Sequence, residues 1–425
     1  MKSKSIIISA LLIGLFFFAS VGMVSAEEPV EITYWQYYFE TRVEAMDQLI
    51  EQFEEEYPHI TVNHETFPYD DYNLRVSASV PVERGPNVIQ LYYGWLPRYI
   101  DGGFLQPLDH GRFAPEDIEE EFFPLVEASK VDDHYYALPT AVRSLALVYN
   151  KDIFEEAGLD RAPETLDELV EYAIATTERD NAGNLLRPGM SLQIDSQLHH
   201  WLREILTRNF GGQPYSDDLR EALIDSPAGV DALTYLTDLD REHEVGRYGF
   251  MTTDIDAFRA GQMGMTVIGS FTLGQFEATE GLNYGVAEIP SHEGREANFG
   301  SYWANGITSF TEGRELEASE KFLEFVTSDE AMELWLEVVG ELPAKFEAAE
   351  QYRDHELYGP FVRGLDYAHA TFFIDEPQQR QMAIDAFERV TLQDMDPSEA
   401  VEIWAEEEQE LLDAYYHDEI DWEDE

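Results

Sequence analysis

The chain carries none of the sequence motifs that hold catalytic nucleophiles, nucleotides or catalytic metals. Cysteine is absent, and no GxSxG, GxGxxG, P-loop or HExxH pattern occurs. The adjacent His199 and His200 would point about 100° apart on a helix, which is a poor geometry for one metal ion. With 86 Asp and Glu residues, carboxylate pairs of the kind that hydrolyse glycosides are expected by chance. We therefore predict no catalytic residue, no metal site and no cofactor.

Aromatic residues near expected loops are the more informative signal. The chain has 7 Trp, 23 Tyr and 25 Phe residues, which together make up 13% of it. A Trp or Tyr ring can cover the apolar face of a sugar while polar neighbours hydrogen-bond to its hydroxyl groups. Trp95, Trp201, Phe271 and Trp303 lie in or beside expected loops. For each of them, a ligand contact and packing between lobes both remain open.

The N-terminal part of the chain predicts a scaffold that would position some of these rings. The pattern indicates strand, helix, strand, helix, strand, at about residues 32–38, 43–57, 60–63, 70–80 and 88–92. Such an alternation is typical of a parallel sheet covered by helices. Ligands of open α/β sheets bind beyond the carboxyl ends of the strands, where Tyr37, Tyr38, Tyr93 and Trp95 fall.

The rest of the chain predicts a second α/β unit. A long stretch of strand character at 135–150 could cross between two lobes. Thr165 and Glu168 form a capping-box pattern before a helix. A buried strand at 263–268 leads into a loop containing Gly269, Ser270 and Phe271, and the C-terminal part is mainly helical.

The charge of the chain excludes some classes of partner. The formal net charge is −59, from 86 acidic and 27 basic residues. Binding to nucleic acid or to an anionic membrane surface depends on clustered Lys and Arg, so neither partner is expected. We interpret the excess as a surface adapted to concentrated salt, with acidic residues such as Glu54–Glu56 and Glu406–Glu408 facing solvent on helices.

The N-terminus is typical of an export signal. Lys2 and Lys4 precede an apolar stretch from Ile6 to Phe18, and Val24-Ser25-Ala26 resembles a cleavage site. We expect cleavage near Ala26 and a periplasmic protein that is not a lipoprotein, because no cysteine is available for lipid attachment. The alternative is an uncleaved anchor, which Ser9, Gly14, Ser20 and Gly22 weaken.

Several motifs, in their order along the chain, resemble the sugar-binding family of extracellular solute-binding proteins of ABC transporters, which includes maltose- and maltodextrin-binding proteins. They are ITYWQYY, LIEQFEEEYPHITV, PNVIQLYYGWLPRYIDGGFLQPLD, YYALPTAVRSLALVYNKDIFEEAGL, APETLDELV, FRAGQMGMTVIGSF, VAEIP and GELPA. The resemblance spans nearly the whole chain after the signal. It implies a two-lobed periplasmic-binding-protein fold of the α/β class, each lobe a mostly parallel sheet flanked by helices, with crossing strands as the hinge. The implied N-terminal lobe is 27–138 plus 291–341, and the C-terminal lobe is 139–290 plus 342–425.

The resemblance also implies which residues contact the sugar. Matching the motifs position by position gives Tyr37, Tyr38, Glu40, Tyr93, Trp95, Arg143, His199, Trp201, Ser270, Phe271, Trp303 and Phe372. Arg143 stands where maltodextrin binders place a carboxylate, so maltose itself is in doubt. A hydroxyl-binding role remains, since Arg presents several fixed donors.

The expected function is therefore transport rather than catalysis. A monomer would bind a mono- or oligosaccharide between its lobes, close over it and deliver it to the permease subunits of an ABC importer. Two alternatives remain at this point. One is a protein of the same fold that binds another solute, such as a polyamine or peptide, and the other is a secreted glycoside hydrolase.

Overall fold

The computed structural model describes residues 28–250 and 253–421, and the predicted signal peptide lies outside the described residues. The strands are β1 Val30–Tyr37, β2 Ile60–Phe67, β3 Val88–Tyr92, β4 Lys130–Val131, β5 His134–Tyr135, β6 Ala137–Asn150, β7 Glu178–Arg179, β8 Leu185–Arg187, β9 Met265–Gly269, β10 Tyr284–Ala287, β11 Asn298–Ile307, β12 Leu342–Pro343 and β13 Ala368–His369. The α-helices are α1 Glu40–Glu56, α2 Tyr69–Ser79, α3 Leu96–Asp101, α4 Pro115–Glu121, α5 Lys151–Ala157, α6 Leu166–Thr176, α7 Thr207–Asn209, α8 Pro227–Arg241, α9 Asp254–Arg259, α10 Leu273–Glu277, α11 Gly313–Val326, α12 Asp329–Val339, α13 Phe346–Glu350, α14 Gly359–Leu365, α15 Glu376–Gln393 and α16 Pro397–Asp421. Between them, π-helical turns cover Ile194–Leu198 and Trp201–Leu206.

The N-terminal sheet has the predicted order of elements. Strand β1 pairs in parallel with β2 on one side and β3 on the other. Helix α1 covers this sheet and buries the predicted face of Met46, Ile50 and Phe53. Beyond β3, the antiparallel strand β11 places Trp303 opposite Tyr92. This register brings two aromatic residues to the carboxyl end of β3.

The long strand β6 connects two sheet regions. Its residues 137–144 pair with β11, and its residues 145–150 pair with β9 and β10 on either side. The change of partner therefore falls between Ser144 and Leu145, within the stretch 135–150 that was predicted to cross between two lobes. The short strand β12 adds Leu342 and Pro343 beside β6. The fold is the predicted α/β architecture. Pairing is parallel around β1, as predicted, and between β11 and β13, whereas every described strand that pairs with β6 is antiparallel to it, which departs from the mostly parallel sheet predicted for each lobe.

The start of α6 is capped by the residues that the sequence predicts. The Thr165 side chain caps α6 by accepting a hydrogen bond of 3.2 Å from the backbone N–H of Glu168. The Glu168 carboxylate accepts a hydrogen bond of 2.9 Å from the N–H of Glu164, one residue before the cap. The first of these bonds satisfies a backbone donor that the first turn of a helix leaves unpaired, and the second fixes the chain just before the cap.

One prediction about the acidic surface is wrong. Glu408 does not face solvent, because its carboxylate and the Arg203 guanidinium form a 2.5 Å ion pair in which both side chains are fully buried. Trp404 and Tyr215 also donate hydrogen bonds to that carboxylate, at 3.1 and 2.6 Å. Glu408 is thus the centre of a buried group of polar contacts that joins α16 to the Trp201–Leu206 turns.

The described residues contain no helix that combines the length and the apolar character needed to cross a bilayer.

Candidate functional site

A cleft cavity lies between the first sheet region, which contains β1, β2, β3 and β11, and the second sheet region, which contains β9 and β10 with the C-terminal half of β6. Its volume is about 320 Å³, which is at the lower end of the range of roughly 300–1,000 Å³ for small-molecule sites. From the first region, the loop after β1, the end of β3 and strand β11 contribute Tyr37, Tyr38, Phe39, Tyr92 and Trp303. Strand β6 and the second region contribute Arg143, Asp195, Ser196, Gln197, His199, His200, Phe271, Glu376 and Arg380. Arg42 and Tyr69 complete the lining.

Aromatic rings form one wall of the cleft cavity. The Trp303 ring packs against Tyr37 at 4.2 Å and against Tyr92 at 5.6 Å between ring centroids. Trp95 supports Trp303 from behind with an edge contact at 5.3 Å. The rings are therefore held by their neighbours, which reduces the entropy a ligand contact would cost.

The opposite wall carries two neutral histidines. Burial lowers the pKa of His199 and His200 well below the ordinary value of 6.5, and nearby cations add to the effect. Both rings are therefore uncharged at neutral pH. The Nδ1 atoms of both histidines lack a hydrogen-bond partner among the described residues. His200 is fixed by stacking on Phe299 at 3.7 Å, so the pair offers pre-positioned polar atoms.

A buried ion cluster forms part of the lining. The Glu341 carboxylate accepts hydrogen bonds from Nη2 of Arg42 and, at 2.9 Å, from the Trp335 indole, and it forms an ion pair with Nε of Arg143 at 2.6 Å. Burial alone would raise the pKa of Glu341, but the two guanidiniums and the indole N–H hold it below its ordinary value. Burial lowers the pKa of Arg42 to about 10. Arg42 and Glu341 are therefore both charged at neutral pH.

A second, adjoining cavity of about 70 Å³ extends the cleft cavity toward strands β6 and β11, called here the crossing strands. Its lining includes Arg143 and Ser144 of β6 and Ser301 of β11. The cleft therefore ends on the strands that link the two sheet regions. A ligand there would contact both regions and the hinge at once.

Comparison with known proteins shows to which family the chain belongs. The family model described as "Bacterial extracellular solute-binding protein" matches residues 48–358. The chain belongs to this family. The maltotriose-binding protein of Pyrococcus abyssi is 23% identical, over 80% of this chain and 72% of that protein. An sn-glycerol-3-phosphate-binding periplasmic protein of Escherichia coli is also 23% identical, over 97% of this chain and 98% of that protein. The structure of a cyclic α-maltosyl-1,6-maltose-binding protein of Arthrobacter globiformis has a TM-score of 0.79 at 22% identity, covering 90% of this chain and 99% of that one.

This solute-binding protein brings half of the predicted site residues together. Those that line the cleft cavity are Tyr37, Tyr38, Arg143, His199, Phe271 and Trp303. Trp95 is close but lies behind Trp303. Glu40 is exposed on the first turn of α1, and Ser270 is fully buried after β9. Neither is among the side chains that line the cavity.

Trp201 is placed differently from the prediction. Its side chain is fully buried in the core and packs edge-on against Tyr235 of α8 at 6.2 Å. The reason is local, because residues two apart on a helix point to opposite sides, so that His199 lines the cleft cavity while Trp201 faces α8 behind it. The structure does not bring this ring to the cleft.

Tyr93 and Phe372 line another space, the rear cavity, of about 720 Å³. Side chains alternate along a strand, and in β11 Ser301 and Trp303 face the cleft side. Tyr302 points the other way, toward Tyr93 at 5.2 Å. The rear cavity is therefore on the opposite face of the crossing strands.

Several lining residues were missed by the sequence analysis. Arg42 is spaced four residues from Met46 on the apolar face of α1, and this position was a usable signal. Tyr92 precedes the predicted Tyr93, and strand alternation turns the earlier ring to the cleft. Arg380 of the lining, and Glu341 behind Arg42 and Arg143, come from distant parts of the chain, so only tertiary structure shows their proximity.

Proposed function

We propose that this protein binds a carbohydrate in the cleft cavity and delivers it to an ABC importer as a carrier, without chemical change. The observation that carries the proposal is the wall formed by Trp303, Tyr37 and Tyr92, opposite Phe271 and two neutral histidines. Aromatic faces fit the apolar faces of sugar rings, and the polar atoms beside them fit the hydroxyl groups. Relatives named for maltotriose and cyclic maltosyl-maltose support the same ligand class.

The proposed mechanism is closure of the lobes around the sugar. A ligand that contacts both sheet regions binds the closed state more tightly and so increases its population. The closed protein then docks on the permease subunits in the membrane. The lobe boundaries predicted from the sequence and the monomeric state belong to this proposal, as does export with cleavage near Ala26.

Isothermal titration calorimetry with a panel of neutral and acidic mono- and oligosaccharides tests the proposal. We expect at least one sugar to bind, and the Trp303→Ala and Phe271→Ala variants to lose about tenfold or more in affinity, as for buried aromatic contacts elsewhere. The matched control is Phe346→Ala, an aromatic residue outside the cleft that is 38% exposed. No binding of any sugar would refute the proposal.

The hydrolase alternative makes a different prediction. An enzyme of that class would need a general acid and a second carboxylate across the cleft, and it would release new reducing ends. Incubating the protein with the sugars that bind and assaying reducing ends over hours separates the two functions. The carrier proposal predicts that the sugar is recovered unchanged.

A further inference from the structure

The buried ion cluster of the cleft cavity contains two cations and one anion. Arg42 and Arg143 both bond to the single carboxylate of Glu341. The side chains of Arg42 and Glu341 are 3% and 5% exposed, and that of Arg143 is 15% exposed. The cluster therefore has a formal charge of +1 that water only partly reaches. An uncompensated buried charge is costly, so a site of this kind favours an anion that completes it.

Two N–H groups of the cluster have no acceptor. Nη2 of Arg143 and Nε of Arg42 are buried and lack a hydrogen-bond partner within the described part of the chain. The Glu341 carboxylate accepts hydrogen bonds from Nη2 of Arg42 and from the Trp335 indole and forms an ion pair with Nε of Arg143, but it does not reach these two groups. Their acceptor therefore has to come from another group. Both arginines line the cleft cavity, so a bound ligand can supply it.

The surroundings hold both guanidiniums in place. The Arg143 guanidinium carbon is 5.3 Å from the centre of the Phe271 ring, and that of Arg42 is 4.8 Å from Phe39 and 5.1 Å from Tyr37. Rings at these distances attract cations and exclude water from their faces. A sugar stacked on Phe271 would thus have its substituents beside Nη2 of Arg143.

The other charged groups of the cavity do not neutralise the cluster. Arg380 and Glu376 are a pair of opposite charges, with 3.6 Å between Nη1 and Oε1. Asp195 is exposed at the cavity rim and accepts a 2.7 Å bond from Gln193. Three of the chain's 27 Lys and Arg residues thus line one small cavity of a protein with a formal charge of −59.

We infer that the ligand is an acidic sugar whose carboxylate is bound by Arg143 and Arg42, an inference that rests on the proposed function. Guanidinium forks match carboxylates in geometry as well as in charge. A carboxylate carries one negative charge and balances the cluster, whereas a phosphate dianion would leave an excess of one. The sugar class is therefore a uronic acid or an oligosaccharide that contains one.

Matched ligands that differ only at the acid group test the inference. The probes are D-glucuronate and D-galacturonate, their methyl esters, the neutral hexoses, the corresponding hexose 6-phosphates, and digalacturonate with its dimethyl ester. Calorimetry at neutral pH gives each affinity. We expect at least one acid to bind ten times more tightly than its methyl ester, the size typical of a hydrogen bond to a charged group.

Variants of Arg143 separate the role of its forked guanidinium group from the role of its positive charge alone. Arg143→Gln should reduce the ratio of acid to ester affinity to near one, and Arg143→Lys should retain only part of it. Arg241→Gln is the matched control, because Arg241 also pairs with a carboxylate, that of Asp394 at 2.9 Å, but on the surface. The melting transition of each variant, followed by circular dichroism, establishes that it is folded.

The outcomes distinguish the two proposals. Equal affinity for acid and ester, tighter binding of the phosphate, or binding of neutral sugars alone would overturn the inference and leave carbohydrate binding intact. If the Arg143→Gln variant still prefers the acid to its ester, the assignment of Arg143 as a carboxylate-binding residue is overturned. No binding of any of these probes would overturn the inference, and the wider panel of mono- and oligosaccharides then decides the proposed function separately.

Discussion

Replacing Glu341 with Gln should destabilise the protein strongly. The change leaves Arg42 and Arg143 as two buried cations with no counter-charge. A Gln side chain offers one neutral acceptor oxygen, whereas the carboxylate now pairs with both guanidiniums and accepts hydrogen bonds from Arg42 and from the Trp335 indole. Removing one partner of a buried ion pair costs about 3–5 kcal/mol. For a cooperative unit of about 150–250 residues, this corresponds to a fall of about 6–20 °C in melting temperature.

Differential scanning calorimetry of the wild type and Glu341→Gln at pH 7 measures this effect. Glu337→Gln is the matched control, since it is the same substitution four residues earlier at an exposed position of α12, and we expect a change within about 0.5 kcal/mol. A Glu341→Gln protein as stable as the wild type at pH 7 would refute the argument that the cluster depends on this carboxylate.

The pH dependence gives a second test of the same group. The pKa of Glu341 is lowered in the folded protein relative to its ordinary value of 4.5. A carboxyl group whose pKa is lowered on folding contributes stability above the unfolded-state pKa and loses it as the pH falls through the folded-state pKa. The stability gap between wild type and Glu341→Gln should therefore be full at pH 7 and narrow in acid below about pH 4.5. A gap that widens in acid would contradict this.

Two other predictions concern the rest of the molecule. Glu408→Gln should cost about 3–5 kcal/mol, because it leaves Arg203 buried without its partner. The control is Glu410→Gln, at an exposed position of the same helix. Equal losses of unfolding free energy for the two variants in chemical denaturation would contradict the assignment of Glu408 as the buried partner of Arg203. The melting temperature should rise between low and molar salt, since cations screen the repulsion of a −59 charge. A melting temperature that salt does not change would contradict the interpretation of the acidic surface.

The fold was predictable because its signals are local and repeated. The apolar spacing of Met46, Ile50 and Phe53 predicts α1, and the capping residue Thr165 predicts the start of α6. Once the order of elements was known, strand ends placed Tyr37 and Tyr38 at the cleft without further information.

The finer detail of the site was not predictable from the same signals. Trp201 and His199 are two residues apart, yet one is core and the other lines the cleft, because residues two apart on a helix point about 200° apart. The sequence does not show which of these two faces turns to the cleft. Arg42, Arg143 and Glu341 meet only because α1 packs on α12 and because β12, which directly follows Glu341, pairs with β6. Burial of Glu408 likewise depends on Arg203, about 200 positions away in the sequence.

The most direct test of carbohydrate binding is the identity of the molecule that copurifies with the protein. The wild type and a Trp303→Ala, Phe271→Ala double variant are purified from a native extract, denatured, and the released small molecules are analysed by mass spectrometry. We predict a carbohydrate in the wild-type sample that is depleted from the variant. A peptide or polyamine in the wild-type sample, or the same sugar retained equally by both proteins, would contradict carbohydrate binding in this cleft.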